Sequence, residues 1–109
     1  MSISADLPGA DLVTAGIEAL KRGEPTIEAL LVSVGSSRMR AAGLDIPAPP
    51  PLAHTPEIEL YLAIGEQHPA DAHSRYNALI RRLVSFERAL EREEGASPTA
   101  RAVASSGER

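Results

Sequence analysis

Cysteine and tryptophan are absent from this chain, and a single lysine, Lys21, stands beside ten arginines. Without cysteine there are no disulfides and no thiolate metal sites. The only aromatic residues are Tyr61, Tyr76 and Phe86. A core must therefore be built from Leu, Ile, Val and Ala, which suits close helix packing better than a sheet. No apolar run approaches the roughly 20 residues of a membrane span, and no charged-then-apolar leader opens the sequence. A soluble, cytoplasmic protein without membrane contact is the expectation. The net charge of −4 argues against a generic phosphate-binding surface, while leaving room for a local basic face. Arginine richness beside so much alanine and proline is discounted as a sign of function.

The 109 residues suffice for one small domain. A chain this short buries a modest share of its surface, so a second subunit would add stability. Its longest regular stretch is AHSRYNALIRRLVSFERALEREE, residues 72–94. On a 3.6-residue period Tyr76, Leu79, Leu83, Phe86 and Leu90 form one stripe, with Ile80 on its edge. Asn77, Arg81, Ser85, Arg88 and Arg92 fall opposite. No Gly or Pro interrupts it, which predicts one helix roughly 34 Å long.

The remaining chain reads as shorter helices. Residues 1–8 form a flexible lead-in. A first helix spans about 10–22, with Asp11 at its start, Lys21 and Arg22 at its end, and Gly23 as terminator. Val13, Ile17 and Leu20 face inward, and Gly16 makes sense only at a close helix crossing. Thr26 caps a second helix carrying Ile27, Leu30, Leu31 and Val34 on its buried face. Gly35 breaks that pattern. Ser36 and Ser37 then cap a short helix ending near Gly43, so 10–43 is a helical hairpin with a split second arm. IPAPPPL, within the 46–54 connector, is a stiff proline strap; its PxxP spacing is the weaker reading, a ligand for a proline-binding domain. Thr55-Pro56-Glu57 starts a helix to Gly65 that is apolar nearly all round (Ile58, Leu60, Tyr61, Leu62, Ile64), hence expected to be the most buried element. The long helix occupies 70–94, and 95–109 is a disordered tail. The fold class is all-α: a small orthogonal or antiparallel bundle of about four helices in one domain, 9–94.

Function is less legible. The leading expectation is a small non-enzymatic interaction or oligomerisation module, working through the long helix and pairing with a second copy or another protein. Tyr76, Leu79, Ile80, Leu83, Phe86 and Leu90 would form the seam. As a parallel pair, the heptad register sets Arg82 against Glu87 of the other chain. The bland alternative is that the stripe packs only on its own chain. His73, Arg75 and Asn77, with Arg81, Arg82 and Arg88, are the candidate polar surface; pairs such as Arg88–Glu91 are equally ordinary solvated features. The runner-up is a nucleic-acid-binding regulator. A degenerate helix-turn-helix-like segment, 26–43, would present Arg38 and Arg40 to a groove, although Leu31 is bulky for such a crossing. His68, Asp71 and His73 crowd one joint, and His68 and Asp71 have the i,i+3 spacing of a helical ligand pair, but Pro69 lies between them, His68 precedes the helix and His73 is five residues from His68, so no metal or cofactor is expected. Ser74 beside His73 is adjacency rather than a catalytic pair, so no enzyme is expected either. Leu83→Asp is expected to disturb folding or assembly, read by circular dichroism and sedimentation. Loss of neither would remove the stripe. Arg38→Ala with Arg40→Ala should instead abolish any salt-sensitive nucleic-acid binding.

Overall fold

The computed structural model describes residues 6–95. Among these residues all regular structure is helical: α1 (Ala10–Lys21), α2 (Ile27–Val34), α3 (Ser36–Ala41), α4 (Pro56–Gln67) and α5 (Ala72–Gly95). None of these helices is long and apolar enough to cross a membrane. The expected tail from 96 onward and residues 1–5 of the lead-in lie outside the described residues. Within the lead-in, Leu7 packs against the core, and its carbonyl accepts the Ala10 N–H at 3.1 Å.

Local chemistry accounts for most boundaries. The Thr26 hydroxyl accepts the Ala29 N–H at 3.0 Å, satisfying one donor left over at the start of α2. Thr55 does the same for α4, accepting from the Ile58 N–H at 3.4 Å, with Pro56 behind it. Two boundaries differ from the sequence reading. α4 runs through Gly65 to Gln67, because an interior glycine costs a helix only about 1 kcal/mol and the stronger stop is Pro69. α3 has no side-chain cap: the Ser36 hydroxyl donates back to the Ser33 carbonyl at 3.0 Å, tying the two arms together across Gly35.

The centre of the molecule is α2. Ala29, Leu30, Leu31, Val32 and Ser33 are buried in succession, which requires cover on every side. α1, α3, α4 and α5 supply it. Ser33 is accommodated by donating to the Ala29 carbonyl at 2.9 Å. α1 crosses α2 at Gly16, where an added Cβ would run into the Glu28 carbonyl oxygen and the Val32 side chain. The second arm continues beyond α3 through a turn at Ala42 and Gly43 into a segment without regular structure; Ala42, Leu44 and Ile46 are buried while Gly43 and Asp45 face out. Arg40 secures it, donating from Nε (3.1 Å) and Nη2 (2.8 Å) to the Ile46 carbonyl. The proline strap that follows has no helix or strand.

α4 is not the most buried element. Leu60 and Ile64 point inward, but Ile58, Tyr61 and Leu62 are 48%, 41% and 50% exposed. The reason is position: α4 packs on α2 and on α5, and Ile58, Tyr61 and Leu62 are not part of the buried core. α5 is one unbroken 24-residue helix, but its stripe divides. Leu83, Phe86 and Leu90 are buried in the chain's own core, whereas Tyr76, Leu79 and Ile80 are half-buried.

The Gly16 crossing sets two effects against each other. Gly16→Ala gains roughly 1 kcal/mol of helix propensity but forces a methyl against backbone that cannot swing aside. Overpacking should win, with a net loss of about 1–3 kcal/mol in urea unfolding and a larger loss for Gly16→Val. A more stable Gly16→Ala protein would contradict this crossing.

Candidate functional site

Two arrangements bring chemically specialised residues together. The first is a shallow groove of about 360 Å³ between α4 and the start of α5, lined by Glu57, Ile58, Tyr61, Leu62, His73, Tyr76 and Asn77. Its base is an aromatic pair: the rings of Tyr61 and Tyr76 meet edge to face, with centroids 5.5 Å apart and planes at 71°. That geometry sets the positive edge of one ring against the negative face of the other. On the α5 wall, His73 and Asn77 lie one turn apart and share a hydrogen bond of 3.2 Å between Nε2 and Nδ2. Helical spacing explains the set. Ile58, Tyr61 and Leu62 are i, i+3, i+4 on α4, and His73, Tyr76 and Asn77 repeat that spacing on α5.

Tyr76, His73 and Asn77 were singled out by sequence, and the fold puts them in this one groove. Ile58, Tyr61 and Leu62 were expected in the core. A warning was present in the sequence: a two-sided apolar helix that also carries Glu57, Glu59 and Glu66 cannot be enclosed. Arg75 and Arg82 sit elsewhere, on a cleft of about 620 Å³ with Thr26, Glu28, Gln67 and His68. Arg75 Nε pairs with Asp71 at 3.1 Å, and Arg82 Nη2 with Asp11 at 3.0 Å. Arg81 and Arg88 are exposed on the outer side of α5. His73 is turned to Asn77, and among the described residues no three His, Asp or Glu side chains converge as a metal site would require.

The second arrangement is ionic. Arg38 projects from α3 to α5 and uses its whole fork there. Nε and Nη2 donate to the two carboxylate oxygens of Glu91 at 2.9 and 2.7 Å, and Nη1 donates to Glu87 Oε1 at 3.0 Å. Glu87 is only 4% exposed, with its other oxygen lying where a Cβ on Gly35 would have to go. A side chain at position 35 would displace the carboxylate. The heptad register sets Glu87 opposite Arg82 of a second chain and makes Glu91 a solvated partner of Arg88. In the fold its partner is Arg38, and Arg82 is taken by Asp11. With Arg40 bound to the strap, both arginines suggested for nucleic-acid contact are engaged within the chain.

The two carboxylates titrate in opposite directions. Burial pushes Glu87 above the usual carboxylate range, with Arg38 opposing the shift. The hydrogen bond from Arg38 draws Glu91 below that range, and the same bond raises the Arg38 guanidinium. A raised folded-state value means that ionised Glu87 works against folding, and stability rises as pH falls through that value. Glu91 contributes above the unfolded carboxylate range and loses its contribution as pH falls through its lowered value. Glu91→Gln should therefore lower the urea midpoint at pH 7, with the deficit closing on strong acidification. Arg38→Gln should also lower it at pH 7, but part of that loss should return as pH falls and the unpaired buried carboxyl takes up a proton. A deficit for Arg38→Gln that stays constant with pH would mean Glu87 is not desolvated.

Compared with known proteins, the chain matches no family model, no curated protein and no solved structure, so its function rests on the arrangement of these residues.

Proposed function

We propose that this protein is a small non-enzymatic interaction module, and that its docking surface is the outer side of α4 together with the start of α5. The observation that carries this reading is the clustering of Ile58, Tyr61 and Leu62, each 41–50% exposed, around the Tyr61–Tyr76 pair. Single exposed apolar residues are ordinary; a contiguous set with polar edges marks a place where another molecule sits. This moves the interaction away from Leu83, Phe86 and Leu90, which the chain already uses for its own core. Tyr76, Leu79 and Ile80 are the half-buried part of the stripe, and Tyr76 is the one in the groove.

Ile58 and Leu62 lie outside the buried core. Leu62→Ser and Ile58→Ser should each change stability by no more than about 0.5–1 kcal/mol. In the source cell, a photo-crosslinking residue at position 62 should give one or two discrete adducts, and the same residue at exposed position 85 should give none. Ile58→Ser should erase the position-62 adducts. Equal labelling from both positions, or adducts indifferent to Ile58→Ser, would reject this surface.

A further inference from the structure

The partner's chemistry can be read from what borders the apolar ridge. α4 carries Glu57, Glu59 and Glu66 and has no Lys or Arg. Glu57 edges the groove toward α5. On the other flank, Glu59 and Glu66 edge a second hollow of about 460 Å³, walled by Pro25, Pro51 and Leu52. Leu62 lines both hollows and forms the ridge between them. The basic groups near this surface are weak or occupied. His54 is held to Glu59, whose carboxylate accepts its backbone N–H at 3.0 Å with the ring Nδ1 at 3.5 Å, and His73 is bonded to Asn77.

We infer that this surface receives a basic amphipathic helix of another protein, its apolar side lying along Leu62, Ile58 and Tyr61 and its Lys or Arg residues facing Glu57 and Glu66. The inference rests on the docking reading above and adds the partner's class. The exposed apolar strip amounts to half of three large side chains, on the order of 300 Å², and runs along one helix. A helix set beside a ridge makes closer contact with so narrow a strip and is read through anchors at i, i+3, i+4 and i+7. A second copy docking through α4 would bring its own Glu57 and Glu66 against these carboxylates, and like charges across an interface disfavour that pairing. A basic flank meets complementary charge on both sides of the ridge.

The test is a displayed library of helical peptides about four turns long, with Leu fixed at i, i+3, i+4 and i+7 and flanking positions free to be acidic, basic or neutral. The full chain serves as bait. Selected peptides should be enriched in Lys and Arg at the flanks, bind about tenfold more weakly to Leu62→Ser, and weaken as salt rises. Selection on the Glu57→Lys, Glu66→Lys double variant should turn the enrichment acidic. Binders that need Leu62 but show neutral or acidic flanks would overturn the basic-helix assignment and leave the docking surface standing. A chain that self-associates at micromolar concentration through Leu62 would do the same, making a second copy the occupant. If no peptide distinguishes the wild type from Leu62→Ser, both the assignment and the surface fall.

Discussion

An eight-residue helix with five successive buried residues can exist only if other elements enclose it, and α2 imposes that demand on the rest of the chain. Alone it is far too short to be stable in water. Its neighbours are therefore arranged by what α2 needs: α1 brought close by Gly16, α3 folded back from Gly35, α4 laid along another side, and the C-terminal half of α5 closing the last. Burial of Leu31, Val32, Phe86 and Leu60 together is what this enclosure achieves.

That arrangement explains why α4 has a face to spare. Covering α2 uses the strip of α4 containing Leu60 and Ile64, and the start of α5 takes up Tyr76 against Tyr61. The half-turns bearing Ile58 and Leu62 are left half exposed, outside the buried core. Half-exposed apolar residues standing between acidic ones are the reason for proposing this side of the molecule as a contact surface.

Much of the fold was legible in the residues. Thr26 and Thr55 before apolar runs, the breaks at Gly35 and Gly43, and the uninterrupted period from Ala72 onward each act within a few residues, where local chemistry dominates. What was hidden is the choice among apolar helices. IEALLVSV and PEIELYLAIGEQ both carry apolar residues on more than one side, and the second differs in having three glutamates to the first's one and a lower apolar share. Glu87 was hidden for a different reason. It lies beside the stripe as any flanking charge might, and its burial depends on an arginine 49 residues away and on the absence of a side chain at Gly35. No periodicity records a contact over that separation.

α5 then has two ends with different duties. Toward its C-terminus Leu83, Phe86 and Leu90 are sunk in the core and Arg38 ties Glu87 and Glu91 to α3. Toward its N-terminus Tyr76, Leu79 and Ile80 are only half covered, and the polar contacts are local ones, Arg75 to Asp71 and His73 to Asn77. A helix anchored firmly at one end presents its other end at a fixed angle without needing to be buried there. The groove beside α4 lies at this half-covered end of α5, where the two helices also pack on each other through Tyr61 and Tyr76.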